Sequence, residues 1–435
     1  MPALFTIISS IVGAAILTPS AIAVALALVF CMRFGVSAQA APSAPNILVI
    51  LADDAGYADF GCQGGGIHGD FATLTPNIDS IATGGVRFTN GYVCGPVCCP
   101  SRASLLSGRY QQRFGMEQNI QSERNAGLPT TQKTIADTLR AAGYRTYALG
   151  KWHLGQDLPE HHPNQRGFDE FYGFLAGART YFQFTGVGSA SKLQRNGIFV
   201  AETAGQYVTD MLGAEAAAYI DDHVTHHAGT PFFMYLAFNA VHTPMEASDL
   251  RLNDPRIQSL SPEERKINAA KTIALDDAVG VTLAKLDQHG LTTDTLVVFL
   301  NDNGGPEDHL ELEAPNWSDN GSLRGHKTLL YEGGIRVPFM VKWPDRIGSH
   351  PGGRTLDDPV MAFDLLPTFV AAANASLLPG QETDGVNLLP RLTGYSPTPI
   401  QRCLFWRTGG STAGQSAVRK GDWKLFRLDG GGPNS

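Results

Sequence analysis

Four short, largely apolar runs give way at once to polar residues or glycine. Residues 47–51 lead into Ala52-Asp53-Asp54, and residues 296–300 into Asn301-Asp302-Asn303-Gly304-Gly305. Residues 144–149 lead into Gly150-Lys151-Trp152-His153, and residues 232–238 into Asn239-Ala240-Val241-His242. A strand with one wet face alternates apolar and polar residues, so a continuous run predicts a strand buried on both faces, as in parallel sheets covered by helices. Amphipathic stretches lie between the runs: 134–142 stopped by Gly143, 206–223, and 262–289 stopped by Gly290. Ser261 and Glu264 predict a capping box at the start of the last. Strand and helix alternate, which predicts an α/β fold with a large, mainly parallel sheet sandwiched by helices. Ligands of such sheets gather beyond the carboxyl ends of the strands. That rule brings Asp53, Asp54, Asp302 and Asn303 together with Lys151, His153 and His242. Singly, each has an ordinary explanation: an Asp pair after a strand is often a turn or a cap, and a lone Lys or His a solvated loop residue. Their coincidence at four strand ends favours a site, and oxygen-bearing side chains suit a hard divalent cation, calcium or magnesium.

Composition narrows the function. With 43% hydrophobic and 17% charged residues the chain is globular, and its 435 residues exceed what one core usually organises. The net charge of −8 offers no general attraction to nucleic acid or an anionic membrane, so an anionic ligand must be held locally. From Pro2 to Met32 no residue is charged, and Ala38-Gln39-Ala40 before Ala41 fits a small-residue cleavage site. A signal peptide over 1–40 and an exported protein, periplasmic or secreted, are expected. The run is also long enough to span a bilayer, so an uncleaved anchor with the catalytic domain outside the cytoplasm is the alternative. Loss of Cys31 with the signal would leave Cys62, Cys94, Cys98, Cys99 and Cys403. An odd count in an oxidising compartment flags a thiol with another purpose.

Three of these cysteines crowd the loop Cys94-Gly95-Pro96-Val97-Cys98-Cys99-Pro100-Ser101-Arg102-Ala103-Ser104-Leu105-Leu106-Ser107-Gly108-Arg109. Pro100 belongs to the first turn of a helix that Gly108 ends, which places Cys98 at its N-terminus with Arg102 one turn along. On the residues alone, Cys98 reads as a thiol nucleophile of low pKa.

Cys98-x-Pro100-Ser101-Arg102 followed by Ala-x-Leu-Leu-x-Gly-Arg resembles the signature of the sulfatase family. A second signature, Gly-Tyr-x-Thr-x-x-x-Gly-Lys-x-His, is matched from Gly143 to His153, and Arg324-Gly325-His326-Lys327 with Glu332-Gly333-Gly334-Ile335-Arg336-Val337-Pro338 resembles a later lysine-bearing segment. The family's usual glycine after that lysine is Thr328 here. The resemblance runs from Asn46 to about Trp423. It implies hydrolysis of sulfate esters with residue 98 oxidised to Cα-formylglycine by a formylglycine-generating enzyme or an equivalent. Asp53, Asp54, Asp302, Asn303 and residue 98 would hold one divalent cation, with calcium favoured. A hydroxyl of the hydrated aldehyde would attack sulfur to give a sulfate hemiester. His242 and Lys327 would support the leaving oxygen, Lys151 would neutralise sulfate, His153 would take the proton that lets sulfate leave, and Arg102 would fix residue 98.

The implied fold is that of the alkaline phosphatase superfamily, with a catalytic domain over 41–394 and a smaller C-terminal antiparallel sheet over 395–435, which by comparison with the family is expected to be truncated. Residues 402–407 and 417–428 are its expected strands. A sulfated carbohydrate is the expected substrate, and Arg179-Thr180-Tyr181-Phe182-Gln183-Phe184 reads either as a sugar-stacking loop or as ordinary packing. Two alternatives stand beside the sulfatase. One is a phosphate or phosphonate ester hydrolase on the same scaffold. The other is an inactive cation- or glycan-binding protein, if Cys98 is tied to Cys94 or Cys99.

Overall fold

Each of the four apolar runs forms a strand of one sheet in the computed structural model, which describes residues 44–428 apart from 67–68, 121–124, 309–314, 349–351 and 410–413. The expected export segment at 1–40 and residues 429–435 lie outside the described residues. The sheet comprises β1 (Asn46–Ala52), β2 (Val86–Tyr92), β3 (Arg145–Lys151), β4 (Glu170–Phe174), β5 (Gln194–Arg195), β6 (Ile198–Phe199), β7 (Phe232–Ala237), β8 (Thr295–Asn301), β9 (Phe339–Lys342) and β10 (Arg354–Met361). Their spatial order is β10-β2-β9-β8-β1-β7-β3-β4-β5-β6. The four runs are therefore the central strands β8-β1-β7-β3, all mutually parallel. Only β9 and β5 run against the rest, so the sheet is mainly parallel as expected.

Both faces of the central strands are covered, which is why their sequences do not alternate. The main helices are α1 (Pro76–Thr83), α2 (Cys98–Ser107), α3 (Ile135–Ala141), α4 (Val208–His226), α5 (Glu263–Gln288) and α6 (Leu365–Ala372). Ile47, Val49 and Leu51 of β1 pack with α2, α3 and α6, while Leu48, Ile50 and Ala52 pack with α1, α4 and α5. A local signal sets the start of only one of these helices by a side-chain cap. Thr134 caps α3 in a reciprocal capping box with Asp137. The box expected at Ser261 does not form. Pro262 is the N-cap of α5, which puts Glu264 two residues after the cap rather than the three a capping box needs. Among the described residues no helix is long and apolar enough to cross a membrane.

Three antiparallel strands follow: β11 (Cys403–Thr408), β12 (Gln415–Lys420) and β13 (Trp423–Leu428). The single strand expected over 417–428 is broken at Gly421, whose φ of 56° makes the turn of a hairpin. Leu404, Trp406 and Ala417 dock this sheet onto Tyr92, Cys94, Leu330, Ile335, Met361 and Phe363. The Trp406 ring lies 5.2 Å from that of Tyr92, and its Nε1 donates to Val93 O at 2.8 Å. Trp406→Ala is expected to cost about 3–5 kcal/mol, read as a lower denaturant midpoint, because it opens a cavity and orphans the Val93 carbonyl. An unchanged midpoint would mean that this sheet adds nothing to the stability of the loop before Cys98.

Candidate active site

The carboxyl ends of the central strands are stitched together by backbone, which fixes where their side chains converge. Asp53 N–H donates to Ala240 O at 2.9 Å, Val241 N–H to Asp53 O at 2.6 Å, and Asp302 N–H to Ala52 O at 3.1 Å. Asp53 and Asp54 after β1, Asp302 and Asn303 after β8, Lys151 ending β3, and His242 beyond β7 therefore meet on one side of the sheet. Helix α2 supplies the rest. Extended Val97 starts it, Gly108 in the left-handed region (φ 70°) ends it, and its first turn points Cys98 at the acids. Cys98 Sγ lies 3.7 Å from Asp53 Oδ1.

Three carboxylates face three permanent cations. Arg102, fully buried, donates Nε to Asp302 Oδ2 at 2.9 Å and Nη1 to Lys151 O at 3.0 Å, and its Nη2 stands 2.8 Å from Asp302 Oδ2 as an ion pair. Lys151 Nζ donates to Asp53 Oδ2 at 2.6 Å, and Lys327 Nζ to Asp54 Oδ2 at 2.6 Å. His242 Nε2 is 3.5 Å from that same Asp54 oxygen, and its Nδ1 pairs with Thr243 O at 2.7 Å. Since a carbonyl only accepts, Nδ1 carries the proton and Nε2 is left for the cleft. Asn303 Nδ2 donates to Asp54 Oδ1 at 2.7 Å. Asp54 and His153 hold left-handed φ values of 58° and 57°, local strain of a kind that gathers at functional sites.

Burial governs the protonation of this cluster. It pushes the Cys98 thiol up to about 12, and the opposing charges of Lys151 and Lys327 do not undo it. The low-pKa nucleophile expected from the helix N-terminus is therefore corrected: a thiol in this dry setting beside carboxylates stays protonated. Burial also raises Asp54, but Lys327, then His242 and Lys151, outweigh it and hold that carboxyl below its ordinary range. Burial keeps both imidazoles neutral, with His153 well below its usual value and His242 down to about 3; Lys151 and Lys327 reinforce it in both, while Asp54 opposes it at His242. Burial and the charge of Asp53 push Asp302 up, against the pull of Arg102.

The donor set fits a hard cation. Ligand atoms of Asp53, Asp54, Cys98 and His242 lie within 4.8 Å of one another. Asp302 and Asn303 join them through Asp54, whose N–H donates to Asp302 Oδ1 at 3.3 Å. Asn303 Oδ1 is buried with no hydrogen-bond partner among the described residues, an oxygen lone pair left free for an ion. A cleft of about 610 Å³ opens above the cluster, with Cys98, His153 and His242 at its base and Asn119, Gln156 and Ser191 among its walls. No cysteine among the described residues is in a disulfide, so Cys98 is tied neither to Cys94 nor to Cys99.

Tertiary structure accounts for several further features. Thr328 has a φ of 80°, a conformation costly for a β-branched residue and natural to the glycine expected there. Its N–H donates to Pro96 O at 2.8 Å and its carbonyl accepts from Gln415 Nε2 at 3.0 Å, so Lys327 keeps its place. In the segment 179–184, Arg179 pairs with Glu202 and Tyr181 is buried with its hydroxyl proton shared between Asn239 O and His242 O, which is packing for these two residues. Asn316, which sequence reasoning missed, donates to Asp54 O at 2.9 Å and Val241 O at 3.1 Å. Gly177 is needed for close approach, because a Cβ there would sit 2.5 Å from His153 Nε2. Gly177→Ala is expected to displace that ring and lower kcat about tenfold or more while cation binding persists. An unchanged kcat would take His153 out of the reaction.

Residues 45–375 match the family profile described as Sulfatase. Arylsulfatase A of Bos taurus is 33% identical over 417 residues, covering 91% of this chain and 77% of that protein. N-acetylgalactosamine-6-sulfatase of Homo sapiens is 32% identical over 427 residues, covering 90% of this chain and 75% of that protein. Among solved structures, Ps i-CgsB in complex with k-i-k-neocarrahexaose superposes with a TM-score of 0.80 at 37% identity, covering 89% of this chain and 84% of that one.

Proposed function

The chain belongs to the sulfatase family and hydrolyses sulfate esters, and from that premise we propose that its substrate is a sulfated carbohydrate, cleaved at residue 98 as Cα-formylglycine beside a calcium ion. The observation that carries this reading is the placement of Cys98 Sγ, 3.7 Å from Asp53 Oδ1 where it lines a cleft of about 610 Å³. The likeness to a protein solved with k-i-k-neocarrahexaose supports the carbohydrate.

Asp53, Asp54, Asp302, Asn303 and residue 98 would hold the cation, whose chemistry is to polarise a sulfate oxygen as a Lewis acid. Calcium is favoured over magnesium because a crowded set of carboxylates and a carboxamide suits its larger, more adaptable shell. Oxidation of Cys98 before folding, by the modifying enzyme and its own oxidant and with the sulfur leaving, would replace the thiol by an aldehyde whose hydrate can attack the sulfur of the ester. Arg102 holds the helix that carries residue 98 against Asp302. Lys151 balances the charge of the bound sulfate, and neutral His153 accepts the proton whose removal releases it. Lys327 and His242 stand on the Asp54 side and support the leaving oxygen. An anionic substrate raises the proton affinity of the His242 ring, which burial otherwise keeps neutral.

Export is part of the same proposal, supported by the charge-free run from Pro2 to Met32 and the Ala38-Gln39-Ala40 site. A mature N-terminus near Ala41 would support it, and an intact Met1 in the membrane fraction would favour an anchor. The substrate is tested by desulfation of a panel of defined sulfated sugars and aryl sulfates, using protein made alongside a formylglycine-generating enzyme. Turnover of sugar sulfates is expected. Turnover of aryl sulfates alone would remove the carbohydrate.

A further inference from the structure

The loop that carries His242 is held from below by a buried lysine that the reaction itself does not use. Lys271 lies on α5, fully buried. Its Nζ donates to three backbone oxygens, Val241 O at 2.9 Å, His242 O at 2.8 Å and Pro244 O at 3.2 Å, with Met245 Sδ at 3.8 Å. The Tyr181 ring lies 4.8 Å from the same ammonium, and the Tyr181 hydroxyl shares its one proton between His242 O at 2.8 Å and Asn239 O at 2.9 Å. The His242 carbonyl is thus gripped by two side chains from different parts of the chain. A buried ammonium held chiefly by backbone carbonyls is a costly way to fill a core: burial lowers Lys271 to about 7 against the attraction of Asp54, Asp53 and Glu246, whereas a methionine or leucine would pack there without desolvating a charge. What the ammonium provides is three donors from one atom, enough to gather carbonyls that a tight loop turns to the same side and that no backbone N–H could reach together.

We propose that Lys271 is a positioning residue for the sulfatase reaction, which with Tyr181 locks the carbonyls of Val241, His242 and Pro244 and so sets the His242 ring on the leaving-group side of the cleft. The inference rests on the role of His242 at the leaving oxygen. Lys271 never touches the substrate. It acts through the loop: with the carbonyl of His242 fixed from below and Nδ1 fixed by Thr243 O, the ring has one orientation, and Nε2 stays at the cleft. Loosening that anchor misplaces the ring by the fraction of an ångström to which such contacts are sensitive.

The test compares Lys271→Met, Tyr181→Phe and His242→Ala on an aryl sulfate with a good leaving group and on a sugar sulfate with a poor one, in protein carrying the modified residue 98. Lys271→Met is expected to lower kcat on the sugar sulfate on the order of 10²-fold with KM little changed, and to lose less on the aryl sulfate, whose departure needs less help. Adding Lys271→Met to His242→Ala is expected to cost little more, since both act on one contact. Equal losses on both substrates, or full additivity with His242→Ala, would overturn the proposal. Should Lys271→Met fail to fold, Tyr181→Phe decides: a selective loss on the sugar sulfate supports the proposal, and a wild-type ratio between the two substrates overturns it. If His242→Ala itself loses equally on both substrates, the role of His242 falls and the inference with it. A selective His242→Ala beside a non-selective Lys271→Met removes the inference alone.

Discussion

Cys98→Ala is expected to lose sulfate-ester turnover by a factor on the order of 10⁴ or more while still binding the cation, as when the nucleophile of a covalent mechanism is removed. Cys99→Ala is expected to keep much of the activity, and the structure supplies the reason. Cys98 Sγ lies at Asp53 in the acid cluster, whereas Cys99 packs in the apolar core beneath the sheet. Removing the Cys99 sulfur costs packing, about 1 kcal/mol, and no chemistry. The peptide containing residue 98 should be lighter than its thiol form and should react with carbonyl reagents. A thiol-bearing residue 98 in fully active protein would end the formylglycine mechanism. An inactive Cys99→Ala beside an active Cys98→Ala would exchange the roles of the two neighbours.

Asp302→Asn is expected to weaken cation binding and to lower kcat on the order of 10²-fold or more, with the fold intact. The choice of asparagine follows from Arg102, whose Nε donates to Asp302 Oδ2 and whose Nη2 lies 2.8 Å from the same oxygen as an ion pair in a buried setting. Asparagine keeps an acceptor for that fork. Alanine would strand a buried guanidinium at a cost of about 3–5 kcal/mol, so lost activity in Asp302→Ala would not separate chemistry from stability. Titration of calcium into the chelated protein, followed by calorimetry, reads the binding directly. Full activity in Asp302→Asn, or in exhaustively chelated wild type, would remove the metal assignment.

The central strands and the residues at their ends were legible in the sequence because both are local facts. An apolar run with no alternation reports burial on two faces, and β1 with its side chains divided between two cores is that burial realised. The residue types at the strand ends and in the Cys98 motif reported what chemistry the chain could carry. Which strands become neighbours, and therefore that Asp53 and Asp302 meet, follows from the order β8-β1-β7-β3, which no local pattern encodes. The same holds for Thr328, whose left-handed φ is imposed by contacts with Pro96 and Gln415, and for the pointing of Cys98 to the site and Cys99 to the core. Lys271 reads in sequence as one cation in an amphipathic helix, and only packing reveals that it faces three carbonyls. The thiol of Cys98 shows the division most directly: position at a helix N-terminus predicts a lowered pKa, yet burial raises it to about 12. Hydrophobic pattern and backbone propensity act over a few residues and can be read along the chain. Desolvation and charge sum over every group packed around a side chain, so only the tertiary structure decides them.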